Sequence, residues 1–227
     1  MQEMKTALVT GAGRGIGSEI AKNLAESGFY VIVNYNGSRE NAENVVNEII
    51  SSGGRAKALQ CNVSDTDAVA KMTDDIKSEF GTIDVLVNNA CRGNNGILSN
   101  LDYDGFDYVL SVGLKAPYEL SRLCKDELIK NKGRIINIAS SRAFQSEPDS
   151  EAYASAKGGI VALTHALAIS LGPHVLVNCI APGWINVSDY ENYTETDKAA
   201  IPAGKVGNTK DISSMVMYLC NQDFITG

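Results

Sequence analysis

The sequence predicts an α/β protein: a doubly wound, mostly parallel sheet with helices on both faces. Three observations predict it. Short β-rich runs alternate with longer amphipathic ones along the chain. The short runs are continuously apolar rather than alternating, as strands covered on both faces must be. The first of them leads through a glycine-rich turn into a helix, the unit from which such sheets are wound.

Each element has its own signal. "KTALVT" (5–10) reads as a strand, and "GIGSEIAKNLAESG" (15–28) as a helix closed by Gly28. "YVIVNY" (30–35) is the second strand, and "SRENAENVVNEIISSGG" (38–54) a helix stopped by paired glycines. "AKALQCNV" (56–63) is a strand, and "DTDAVAKMTDDIKSEFG" (65–81) a helix for which Asp65 is a good N-cap. "IDVLVNNA" (83–90) is a strand, and 104–131 is mostly helical. "GRIINIAS" (133–140) is a strand, "SEAYASAKGGIVALTHALAISLG" (150–172) a long helix and "HVLVNCIA" (174–181) a strand. "TKDISSMVMYLCNQ" (209–222) is a helix. There is no repeat and no low-complexity linker, so residues 1–227 read as one domain. Right-handed crossovers then place the strand C-termini along one edge, where ligands bind.

Composition narrows the function. Of 227 residues, 44% are apolar and 21% charged, and the formal net charge is −7. That balance argues against a nucleic-acid partner, which needs a basic face. Five scattered cysteines and two histidines show no metal spacing and no disulfide framework, so no metal is expected. The N-terminal apolar run is too short for a signal peptide, and no stretch approaches a membrane span. These features predict a cytoplasmic protein with no membrane partner.

In "VTGAGRGIGSEIA", Gly11, Gly15 and Gly17 follow a T-G-x-x-x-G-x-G spacing between strand and helix. Glycines let the backbone turn tightly and approach a pyrophosphate at a helix N-terminus. Tyr153 and Lys157, in "YASAK", are four residues apart on one helix face. An ammonium beside a phenol favours the phenolate, so Tyr153 is expected to ionise below the usual value of about 10.

With "TGAGRGIG" (10–17), "NNA" (88–90), Ser140 thirteen residues before Tyr153, "YASAK" (153–157) and "APG" (181–183), the chain resembles the short-chain dehydrogenase/reductase family. Its first half is similar to the branch of 3-oxoacyl-(acyl carrier protein) reductases. The resemblance covers residues 5–227. It implies a Rossmann-type fold and hydride transfer between a nicotinamide and a carbonyl or alcohol. It implies Tyr153 as the proton donor, Lys157 as a holder of the nicotinamide ribose, and Ser140 as a hydrogen-bond donor to the substrate oxygen. The implied cofactor contacts are Gly11, Gly13, Arg14, Gly15, Ile16 and Gly17 in the glycine turn. Tyr35, Asn36 and Ser38 follow the second strand, Asn62 and Val63 the third, and Asn89 and Ala90 the fourth. Tyr153, Lys157, Pro182, Gly183 and Ile185 complete the set.

The sequence departs from the family pattern in places. Gly113 stands where an asparagine of the proton relay is usual, and Cys91 where a glycine is usual. Asn62 replaces an aspartate, and Val187 a threonine that often contacts the cofactor. Relatives continue through one further strand after "DFITG". Tyr35 occupies the position of the acid that would repel a 2′-phosphate, and Arg14, Asn36, Ser38 and Arg39 lie close in sequence. NADP is therefore the expected cofactor, with NAD as the alternative.

The segment at about 185–204 is expected to form a short, acidic substrate lid, with Arg92, Arg142 and Trp184 as pocket neighbours. Two functions compete: a carbonyl reductase or alcohol dehydrogenase using Tyr153, and a nucleotide-binding sensor or scaffold whose catalysis has decayed. Gly113 motivates the second, and intact Tyr153, Lys157 and Ser140 favour the first. The family implies a homodimer or homotetramer pairing the helices near 104–131 and 150–172.

Overall fold

The computed structural model of the chain describes residues 4–93, 103–187 and 193–227. Its strands are β1 (Thr6–Val9), β2 (Tyr30–Tyr35), β3 (Arg55–Gln60), β4 (Val85–Asn88), β5 (Arg134–Ile138) and β6 (Leu176–Ile180). They pair in the order β3-β2-β1-β4-β5-β6, every pair parallel. The order reverses between β1 and β4, which opens a crevice at their C-terminal ends.

Two cores result, one on each face. In β4, Val85 and Val87 point into the layer of α1 (Gly15–Glu26), α2 (Arg39–Ser51) and the last helix, Thr209–Cys220. Leu86 points the other way, toward α3 (Thr66–Phe80) and the helix Ala116–Leu123. Both faces are buried, so the central strands are apolar at most positions. The helices stop where their end groups dictate. Asp65 accepts hydrogen bonds from the backbone N–H groups of Asp67 and Ala68, and Gly81 closes α3 at φ 75°.

The stretch 104–131 is mostly helical, as expected, but broken. It divides into α4 (Tyr103–Leu110), a π-helical turn (Ser111–Lys115), α5 (Ala116–Leu123) and α6 (Lys125–Lys130). After β5 a 3₁₀ turn (Ser141–Ala143) precedes the long helix α7 (Glu151–Leu171). By length and composition α7 could cross a bilayer, which corrects the sequence expectation that no stretch reaches that length. In this structure it lies along β6, with Thr164 bonded to Asn137 of β5, while Ala152 and Ala156 pack on Val109 of α4.

Beyond β6 the structure adds elements the sequence did not announce. Ile185–Asn186 (β7) pairs in parallel with Gly207–Asn208 (β8), and α8 (Glu195–Ala199) lies between them in sequence. Thr194 and Asp197 form a capping box on α8. The lid expected at about 185–204 falls partly on 188–192, outside the described residues. At the sheet edge, the N–H of Gly227 donates to the Val177 carbonyl at 2.8 Å, and the Asn178 amide donates to Ile225 O at 2.8 Å. Residues 225–227 thus run beside β6, where the family pattern places a further strand.

Candidate active site

A cleft of about 940 Å³ opens at the crevice between β1 and β4. Its walls bring together Gly11, Gly13, Arg14, Gly15, Ile16 and Gly17 from the turn after β1. Tyr35, Asn36 and Ser38 come from the end of β2, Asn62 and Val63 from the end of β3, and Asn89 and Ala90 from the end of β4. All of these were expected to meet a dinucleotide.

The turn is held by side chains. Gly11 and Gly15 adopt φ +62° and +57°, which a side chain would strain. A Cβ at Gly17 would stand 2.5 Å from the Asn89 amide nitrogen and 2.6 Å from the Gly11 carbonyl. The Thr10 hydroxyl accepts the N–H groups of Asn89 and Ala90, both at 3.0 Å. The Asn89 amide donates to the carbonyls of Thr10 and Gly11, at 2.9 and 3.1 Å. Asn89 therefore shapes the cradle from beneath. Sequence reasoning missed Asn34, whose Oδ1 accepts the Gly11 N–H at 3.3 Å and whose amide donates to Cys61 O at 3.1 Å. Its signal was available: a lone polar residue inside the apolar run "YVIVNY".

At the β2 end, Tyr35 is buried, and the Ser38 hydroxyl makes no cap bond to α2. Arg39 pairs instead with Glu43 on the solvent side, at 2.7 Å. Asn62 uses its oxygen to accept from the Ser64 N–H and hydroxyl, which leaves its amide N–H groups for a ligand.

Ser140, Tyr153 and Lys157 stand beyond the opposite end of the cleft. Lys157 is only 3% exposed, and its Nζ donates to the Ile138 carbonyl at 2.6 Å. That Nζ lies 5.5 Å from the centre of the Tyr153 ring. The Ser140 oxygen accepts the Arg142 N–H at 3.2 Å, which leaves its proton to donate, and its hydroxyl lies near enough to Tyr153 to favour the phenolate. Pro182 joins this region through its carbonyl, which accepts the Ser141 N–H at 2.8 Å. Gly183 is exposed beside it, with no described neighbour in the space a Cβ would take. Ile185, expected at the cofactor, pairs in β7 and packs its side chain on the core of the α1 face.

One electrostatic expectation is reversed. Burial pushes the Tyr153 phenol up from its ordinary value, and the Cys91 thiol beside it acts in the same direction. The Ser140 hydrogen bond and the Arg142 guanidinium pull it down without overcoming burial. Lys157, with its Nζ 5.5 Å from the ring centre, does not outweigh burial. Tyr153 is therefore protonated at neutral pH, the form an acid must have.

Gly113 also finds a structural reason. It lies in the π-helical turn, where a Cβ would stand 3.0 Å from the Ala156 Cβ and 3.4 Å from the Cys91 sulfur. The close approach of this turn to α7 excludes a larger side chain without movement, so Gly113 is a packing choice. It no longer motivates a decayed catalyst.

A parallel sheet, a glycine cradle at its switch point and a Ser–Tyr–Lys group beside the cleft define a nicotinamide-dependent oxidoreductase. The chain belongs to the short-chain dehydrogenase/reductase family. A family model described as "Enoyl-(Acyl carrier protein) reductase" matches residues 11–227. An uncharacterized oxidoreductase of Thermotoga maritima is 39% identical over 241 residues, covering 100% of this chain and 93% of that protein. A 3-oxoacyl-(acyl-carrier-protein) reductase FabG of Staphylococcus aureus is 37% identical over 236 residues, covering 100% and 96%. Among solved structures, an apo SCOR enzyme from Clostridium thermocellum is 59% identical with TM-score 0.90, covering 100% of this chain and 89% of that one. A short-chain dehydrogenase from Burkholderia cenocepacia in complex with NADP is 32% identical with TM-score 0.91, covering 100% and 95%. The chain is thus an NAD(P)-dependent oxidoreductase acting on CH–OH or C=O groups of a small molecule.

Proposed function

We propose that the protein is an NADP-dependent carbonyl reductase, running in reverse as an alcohol dehydrogenase, with Tyr153 as the acid and base. The gathering of Ser140, Tyr153 and Lys157 beside the cleft, with the Lys157 Nζ 5.5 Å from the Tyr153 ring centre, carries this reading. The cofactor, when bound, supplies or accepts the hydride. Tyr153, half-buried and protonated at neutral pH, donates its proton to the substrate oxygen. Ser140 keeps its oxygen on the Arg142 N–H and directs its proton at the same oxygen, stabilising charge that develops there. Lys157 uses one N–H on Ile138 O and has two left to hold a ribose hydroxyl.

The choice of NADP rests on Tyr35 in place of an acid, on the Ser38 hydroxyl and on Arg14 in the cleft wall. Neighbours in complex with NADP and with NADPH support it. The residues fit a dinucleotide: two positive-φ glycines, and no carboxylate among the described lining residues. Similarity to 3-oxoacyl reductases supports a 3-oxoacyl-like substrate. We read residues 1–227 as one dinucleotide-binding domain with its lid at about 185–204, working in the cytoplasm. A homodimer or homotetramer would cover Ile169 on α7, which is 74% exposed, and the groove that Leu110, Leu114, Tyr118 and Leu163 line between α4, α5 and α7.

Stopped-flow oxidation of NADPH against ketones and 3-oxoacyl thioesters tests the reading. Tyr153→Phe should lose about a thousandfold in turnover while binding NADPH as the wild type does. Full turnover in Tyr153→Phe, or tight NADPH binding with no turnover of any member by the wild type, overturns it.

A further inference from the structure

The chain is acidic, with 27 Asp and Glu against 20 Lys and Arg. Yet the charged side chains lining the cleft, among the described residues, are two arginines, Arg14 and Arg92. Arg14 belongs to the glycine turn. Arg92 stands at the other end, because its neighbour Cys91 abuts Gly113 and lies beside Tyr153.

The other cations near the reacting end already have partners. Arg142 pairs with Glu147 and donates to Gln145 O. Lys157 is buried on Ile138 O. Arg92 instead rests on the face of Tyr108, its guanidinium carbon 5.5 Å from the ring centre. It has no carboxylate partner among the described residues. An aromatic face orients a guanidinium without using its N–H fork. That fork matches a carboxylate or phosphate in two parallel hydrogen bonds.

We propose that Arg92, seated on Tyr108 at the Tyr153 end of the cleft, anchors an anionic group of the substrate. The substrate class is then a hydroxy or oxo compound that carries a carboxylate, or one borne by a phosphate-bearing thioester carrier. The inference rests on the function proposed above. It adds a specificity-determining residue outside the Ser–Tyr–Lys group, and a charge that the substrate must have.

Equilibrium binding to the NADPH complex of Tyr153→Phe, which holds substrate without turning it over, tests it. Two matched pairs serve as probes: acetoacetate against acetoacetamide, and acetoacetyl-coenzyme A against the neutral N-acetylcysteamine thioester. At least one anionic member should bind about tenfold to a hundredfold more tightly than its neutral partner. Arg92→Gln should abolish that preference, and Arg92→Lys should keep part of it. The pair that shows the preference identifies the source of the anion. Equal binding within both pairs, no binding by any probe, or a preference that survives Arg92→Gln overturns the proposal. If NADPH itself fails to bind, the proposed function falls with it. If NADPH binds and the wild type reduces neutral ketones just as well, only the anionic anchor is lost.

Discussion

Asn137 is the most informative residue to remove from beneath the site. Its Oδ1 accepts from the Asn88 amide at 2.8 Å, and its own amide donates to the Thr164 hydroxyl at 2.9 Å. The three side chains tie β4 to β5 and β5 to α7, and each is 4% exposed or less. Asn88 Oδ1 has no partner among the described residues, so Asn137→Leu would strip the Asn88 side chain of its last hydrogen bond. An orphaned buried polar group costs about 1–3 kcal/mol. The weakened Thr164 hydroxyl, which still donates to Ile160 O at 2.7 Å, adds a smaller amount. The total is about 2–4 kcal/mol, or roughly 5–12 °C in Tm for a chain of this size. Because Ile138 follows Asn137 and carries the carbonyl that anchors Lys157, kcat should fall more than NADPH affinity. Asn88→Leu/Asn137→Leu removes the orphan itself, so the pair should be less destabilised than the sum of the singles by about 1–3 kcal/mol. Urea unfolding followed by circular dichroism at one fixed protein concentration reads both numbers. An Asn137→Leu protein within about 0.5 kcal/mol of wild type, or a strictly additive double variant, would refute the orphan argument.

Two further outcomes follow from the site. Tyr35→Asp should move the NADPH-over-NADH preference by about tenfold to a hundredfold toward NADH, because a carboxylate repels a 2′-phosphate. Unchanged kcat/KM ratios for the two cofactors would count against the NADP assignment. The raised Tyr153 ionisation fixes the sign of the pH dependence. Reduction needs the phenol, so its rate should hold through neutral pH and fall only above the ordinary tyrosine value of about 10, while oxidation, which needs the phenolate, should rise with pH. Ser140→Ala removes a group that pulls the ionisation down, so ultraviolet titration should find the phenolate forming at still higher pH.

Much of the architecture was legible because its causes are local. Continuous apolar runs gave every strand of the main sheet to within a few residues, and Asp65 and Gly81 marked their helix as expected. Where tertiary packing overrides local preference, detail was lost. The segment 104–131 is mostly helical, as expected, but Gly113 and Pro117 mark a π-helical turn within it that lets it approach Ala156 on α7. The capping box at Thr194 and strand β7 lay in a stretch read only as a lid, and β8 just beyond it. Asn34 was passed over because its partners, Gly11 and Cys61, are distant in sequence.

By itself the sequence determined the order of strands and helices, the glycine turn and the family spacing of Ser140, Tyr153 and Lys157. Those depend on side-chain periodicity and on backbone freedom at single residues. Only the tertiary structure decided the sign of the Tyr153 shift and which arginine near it lacks a carboxylate partner among the described residues. Helical spacing placed Lys157 one turn from Tyr153, its Nζ 5.5 Å from the ring centre, but burial outweighed the surrounding charges. Arg142 and Arg92 read alike in one dimension. Glu147 close to one and the Tyr108 ring beneath the other separate them, because charge acts through space rather than along the chain.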